Sequence, residues 1–137
     1  MVDMKISLIW KRKKTISLIV LLISILSLQA ATKVEVYYFH YTHRCVTCQA
    51  VETESQKIIS TLYAKEIKEG KIQFIAVNLD EKNSKNLADK CKVEGQALLV
   101  ISGNKRIDLT DKGFMYARSN PDKLKAELKK TIDPLLN

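Results

Sequence analysis

Beyond residue 33 the apolar positions fall into short blocks whose periods name the elements. Val34–His40 is rich in β-branched and aromatic residues and predicts a strand. From Cys45 the apolar spacing is helical. It predicts a helix to about Glu69, stopped by Gly70, with Lys65 and Lys68 in its last turns. Residues 72–79 form a nearly continuous apolar run, as a buried central strand requires. Asn83 or Ser84 can cap a short second helix through Lys90. Residues 97–101 and 106–109 flank Ser102-Gly103-Asn104-Lys105, which supplies turn residues for an antiparallel hairpin. Asn120 followed by Pro121 reads as an N-cap with proline at the first helical position, and Leu124, Leu128, Ile132 and Leu135 then make one apolar stripe. The order strand, helix, strand, helix, strand, strand, helix predicts an α/β sandwich on a small mixed sheet of about four strands with three helices. Its first crossover should be right-handed.

The first thirty residues have a different pattern. Lys11 to Lys14 form a basic cluster, residues 15–28 are an uncharged run of Ile, Leu, Val, Ser and Thr, and Gln29-Ala30-Ala31 follow. This predicts a secretory signal over residues 1–30. The apolar run is shorter than the roughly 20 residues that span a bilayer comfortably, which favours cleavage. Leu28 occupies a place where a small residue is preferred, so an uncleaved anchor through residues 15–28 stands as the alternative. Localisation is thus expected to be periplasmic or otherwise exported. Residues 31–137 have the size of one domain. The chain carries +8 overall, half of it in the leader. The remaining lysines form no dense run with interleaved aromatics, and a nucleic-acid partner has little support.

Candidate chemistry concentrates at Cys45-Val46-Thr47-Cys48, directly after the first strand and at the start of the first helix. The helix-start N–H groups and macrodipole favour a thiolate there. Cys48, Val51, Ser55, Ile58 and Leu62 share one helical face, which must pack on the sheet. Cys48 is therefore expected to be the buried, resolving thiol. Cys45, at the exposed mouth with His43 and Arg44 before it, is expected to be the attacking nucleophile, its pKa lowered from about 8.5. The first strand shows no buried acid to accept a proton near Cys48. His40 could take up a proton if it points inward.

These pieces resemble a thioredoxin-fold protein over essentially all of residues 33–137: the strand 34–39, the Cys45/Cys48 motif, Val77-Asn78-Leu79-Asp80, and Val93-Glu94-Gly95-Gln96-Ala97 leading into a hairpin. More narrowly, Tyr37-Tyr38-Phe39-His40 with His43-Arg44-Cys45 is similar to small exported thioredoxin-like proteins labelled nitrophenyl compound nitroreductase subunit, ArsF family. The resemblance implies a thioredoxin-like three-layer sandwich and a substrate groove beside Tyr41, Gln96 and Ala97. Where the family places a cis-proline, this chain has Gln96-Ala97. A cis bond before a non-proline residue costs about 3 to 4 kcal/mol, so a trans peptide is expected and substrate binding by strand addition is altered. Val46-Thr47 replaces the usual Gly-Pro, leaving redox direction open. No flavin or nicotinamide fingerprint accompanies the motif.

The leading expectation is an exported thiol–disulfide oxidoreductase acting on protein or small-molecule disulfides. It would need no cofactor beyond its own dithiol, and its electrons would come from a membrane relay protein. The alternative is a module that holds a metal or metalloid, zinc or arsenite, on His40, His43, Cys45 and Cys48 without turnover. An inert structural disulfide is a third reading. Cys91 shares a stripe with Ser84, Leu87 and Ala88 and reads as a small buried hydrophobe. Glu52 and Glu54 project about 160° apart at ~100° per residue and read as a solvated face.

Overall fold

The computed structural model describes residues 32–137. The leader expected over residues 1–30 lies outside the described residues. The chain folds as β1 (Val34–His40), α1 (Val46–Leu62), α2 (Ala64–Lys68), β2 (Ile72–Asn78), a 3-10 turn (Lys82–Ser84), α3 (Lys85–Lys90), β3 (Ala97–Ser102), β4 (Lys105–Asp108), α4 (Thr110–Tyr116) and α5 (Pro121–Leu136). The sheet order is β2-β1-β3-β4. β1 runs parallel to β2, with Val34 opposite Ile72, and antiparallel to β3, with Phe39 opposite Ala97. This is the mixed four-stranded α/β sandwich of thioredoxin-like type.

Side chains of β1 divide between the two faces by their period of two. Val34, Val36 and Tyr38 join Val51, Ile58 and Ile59 of α1 and Leu124, Leu128 and Ile132 of α5 in the larger core. Tyr37 and Phe39 point the other way, into a smaller core with Val77, Ala88, Cys91, Ala97 and Leu99. Helices α1, α4 and α5 therefore cover one face and α3 the other. Each apolar side chain buried in this way contributes about 1.5–3 kcal/mol relative to an exposed one.

Among the described residues five helices occur instead of the three expected, for two physical reasons. The first helix does not run unbroken from Cys45 to Glu69. It is interrupted at Tyr63, whose backbone (φ −122°, ψ 30°) leaves the helical region. The buried Tyr63 hydroxyl donates to Asp133 Oδ1 at 2.7 Å on α5, and that long-range anchor overrides a locally continuous pattern. Glu66 and Lys68 then wind a further short turn before Gly70 ends it at φ +71°, a conformation glycine adopts without cost. Helix α4 was not expected, because Thr110–Tyr116 is two turns long with Gly113 at its centre. That glycine serves packing. A Cβ at 113 would meet Leu98 and Val51 side-chain carbons at 3.1 Å each, tighter than ordinary contact, so glycine lets α4 approach both β3 and α1 without those side chains having to give.

Smaller boundaries also move. The hairpin strands extend to Ser102 and begin at Lys105. Helix α3 begins after the 3-10 turn and closes with Lys92 at φ 56°. The Lys92 N–H donates to Asp89 O and the Val93 N–H to Ala88 O, the paired bonds of a Schellman ending. Asn120 caps α5, its side chain accepting from the Lys123 N–H.

Candidate functional site

The C-terminal end of β1 delivers the chain to the site. Phe39 and Tyr38 are fully buried, which fixes the strand, and His40 is the last residue in register, opposite Asn78 of β2. The loop 41–44 then turns across the end of β2. Its geometry is set by a polar clasp: the Thr42 N–H donates to Asp80 Oδ2 at 2.7 Å, Asn78 Nδ2 donates to Thr42 Oγ1 at 2.9 Å, and the Asp80 N–H donates to Asn78 Oδ1 at 3.0 Å. Bonding from the Thr42 backbone, then from its hydroxyl, holds the Asp80 carboxyl below the usual carboxylate range. His43 and His40 lie close enough to add to the same effect. The clasp is a feature that residue spacing alone did not assign.

Cys45 follows as the N-cap of α1. Its sulfur accepts from the Cys48 N–H at 3.2 Å, taking the role that a serine or aspartate oxygen fills at most helix starts. Cys45 and Cys48 are joined as a disulfide with 5.1 Å between their Cα atoms. The two halves differ in access: Cys45 is exposed, whereas Cys48 is 4 % exposed and turned toward the sheet. Val51, Ser55 and Ile58 are buried on the same helix face, and the Ser55 hydroxyl has no hydrogen-bond partner among the described residues.

The flanking residues divide into distinct settings. Arg44 is paired with Glu52 one helical turn beyond the motif, and both are partly buried. The positive charge expected beside Cys45 is therefore matched by a carboxylate, and Glu52 belongs to the site rather than to a solvated face. His43 is exposed. His40 is half-buried, with Nδ1 at 3.0 Å from the Tyr41 carbonyl; donating there leaves Nε2 free of its proton in the neutral ring. Its ring stacks at 5.9 Å on Tyr38.

Tyr38 is the residue that sequence reasoning missed. It read as a packing residue of an aromatic strand. Its hydroxyl instead donates to the Cys48 carbonyl at 2.8 Å and lies 3.3 Å from Gln96 Oε1. Burial is the main cause that raises its pKa to about 12. Arg44 opposes this and Glu52 adds to it. The only signal in the chain was parity: Tyr38 shares the face of Val34 and Val36, the face α1 covers.

The three groove residues border two clefts that adjoin through shared lining. Gln96 and Ala97 border a cleft of about 440 Å³ together with Glu94, Thr110 and Asp111. Tyr41 borders another of about 540 Å³ with Leu79, Asp80, Lys85 and Glu94. Val93 and Glu94 belong to both clefts, and the Tyr41 hydroxyl lies over Gly95. All described peptide bonds are trans, including that between Gln96 and Ala97. The segment before Ala97 therefore lacks the proline geometry of the resembled family. Val46, inside the motif, and Tyr41, in the loop before it, are exposed apolar surface at 66 % and 38 %.

His40, His43, Cys45 and Cys48 are not gathered as a ligand set: among the described residues no three or more His, Cys, Asp or Glu side chains are arranged to hold a metal ion. No helix of the described residues is long and apolar enough to cross a membrane.

No family model matches the chain, and no curated protein matches it. A solved structure described as that of a malarial protein is similar at 24 % identity over 72 % of this chain and 96 % of that one, with a TM-score of 0.46. At that level of likeness the neighbour defines neither the site nor its chemistry.

Proposed function

We propose that the chain is an exported thiol–disulfide oxidoreductase of the small thioredoxin-like kind, working in the periplasm or an equivalent oxidising compartment. The observation that carries the reading is the asymmetry of one sulfur pair. Cys45 is exposed at the helix mouth, and Cys48 is buried one turn behind it.

Each thiol suits one half of an exchange. In the reduced protein, N–H groups of the first turn of α1 favour the Cys45 thiolate, as the Cys48 N–H already does for its sulfur. The thiolate attacks one sulfur of a substrate disulfide and releases the other as a thiolate. Cys48 then attacks the Cys45 sulfur of the mixed disulfide, forms the intramolecular bond and frees the second substrate thiol. The substrate end is supplied by exposed Tyr41 and Val46 and by the backbone before Ala97. No cofactor beyond the dithiol enters these steps. Where the dithiol works as a reductant, a membrane protein that passes electrons to it is the partner an oxidising compartment implies.

The test is reduction of insulin disulfides, and reoxidation of a reduced test protein, by the full chain and by Cys45→Ser. Turnover by the parent that disappears in Cys45→Ser supports the proposal. A parent that turns over neither substrate, but binds zinc or arsenite stoichiometrically, would replace it with the binding module.

A further inference from the structure

Tyr38 has one proton and two polar neighbours. At 2.8 Å the proton goes to the Cys48 carbonyl, whose second lone pair is free beyond the helix bond. The second neighbour, Gln96 Oε1 at 3.3 Å, is a weaker acceptor for the same hydroxyl. The hydroxyl thus bridges the Cys48 carbonyl and the Gln96 side chain, and the phenol that carries it is fully buried. Such a phenol does not ionise near neutrality, so it acts as a fixed donor and not as a proton acceptor. It also does not need to reach sulfur to matter. The carbonyl it holds belongs to the residue whose sulfur must swing onto Cys45.

Resting on the oxidoreductase reading above, we propose that Tyr38 is a positioning residue for the second half of the exchange. Its hydroxyl pins the turn of α1 that carries Cys48 to β1. Through Gln96, it also ties that turn to the segment just before β3, where substrate backbone would lie. Attack by Cys45 uses an exposed sulfur and does not depend on this pin. Closure of the Cys45–Cys48 bond does, because the effective concentration of a neighbouring thiol depends on how well its backbone is held.

The experiment follows reaction of the reduced full chain with oxidised glutathione by acid quench and mass spectrometry. Cys45 takes one glutathionyl group and releases one glutathione; Cys48 then displaces the second. Tyr38→Phe keeps the ring packed and removes only the hydroxyl. The expected result is formation of the mixed disulfide within about twofold of the parent, and its resolution slowed about tenfold, so that it accumulates. Gln96→Ala, which removes the second link without touching the core, should slow resolution by a smaller factor. Unchanged resolution in both variants overturns the proposal. So does equal slowing of both steps in Tyr38→Phe, the mark of a residue needed only for folding. If Tyr38→Phe does not fold, resolution in Gln96→Ala decides alone. A parent that oxidised glutathione leaves fully reduced, with neither mixed nor intramolecular disulfide formed, overturns the oxidoreductase reading and this proposal together, whereas a parent that cycles normally beside an unsplit Tyr38→Phe removes only this one.

Discussion

Cys45 and Cys91 are identical side chains at opposite extremes of this fold. Cys45 ends a loop, caps a 17-residue helix, receives an N–H on its sulfur and faces solvent. Cys91 ends a six-residue helix on the other side of the sheet and is 5 % exposed in the smaller core. Burial pushes its thiol pKa up, against the opposing pull of Lys90 and Arg106, while Glu35 adds to the rise. Its carbonyl, not its sulfur, makes the strong contact, accepting from Arg106 Nε at 2.8 Å. On the proposed reading, the contrast teaches that reactivity follows backbone N–H groups and solvent access, not the presence of a thiol.

The largest effect expected from that contrast is on turnover. Cys45→Ser should lower disulfide exchange by on the order of a thousandfold, while Cys91→Ala keeps it within about twofold. Insulin reduction by both variants checks this. Next comes selectivity. In the reduced protein at neutral pH, iodoacetamide should label Cys45 roughly a hundred times faster than Cys91, with Cys48 between them. Peptide mass spectrometry after brief labelling measures the ratio.

Each thiol environment also holds a buried tyrosine, Tyr38 near Cys48 and Tyr37 near Cys91, and their shared response to base sharpens the comparison. Burial raises both phenols to about 12, with Glu35 adding to the effect at Tyr37. Below about pH 10 both the folded and unfolded chains keep the protons, and stability does not change on this account. Between about 10 and 12 the unfolded chain loses protons that the folded one retains, so stability falls as pH rises. Denaturant unfolding across that range should show the loss. Tyr38→Phe should reduce it.

Two smaller effects separate the two ends further. Glu52→Gln releases Arg44 from its carboxylate, and the pH profile of Cys45 alkylation should move to lower pH by a few tenths of a unit, with Cys91 unaffected. On the Cys91 side, Lys92 occupies the left-handed position that closes α3. Lys92→Gly should stabilise the fold by about 0.5–1 kcal/mol in denaturant unfolding, with no effect on exchange.

What the sequence revealed of this arrangement follows from range. Strand β1, the buried face of α1 through Cys48, Val51 and Ile58, and the Asn120-Pro121 start of α5 rest on neighbours within a few residues, and periodicity exposes them. The break at Tyr63 depends on Asp133, seventy positions away, and the local pattern runs straight through it. Helix α4 was hidden because Gly113 weakens any helical signal, and the reason for the glycine lies in Leu98 and Val51. The motif itself was plain from its place between strand and helix. Its supports were not: the Arg44–Glu52 pair, the Thr42–Asp80 clasp and the Tyr38–Gln96 contact each join residues whose types read equally well as ordinary surface or core.

The most direct test is the ionisation of Cys45 in the reduced full chain, read from its alkylation rate as a function of pH alongside that of Cys91. The expected result is a Cys45 midpoint clearly below the ~8.5 of an ordinary thiol, with Cys91 well above it, and ready oxidation of the pair by glutathione disulfide. A Cys45 midpoint at or above that of Cys91, with no reaction toward glutathione disulfide, would contradict the assignment of the outer sulfur as nucleophile.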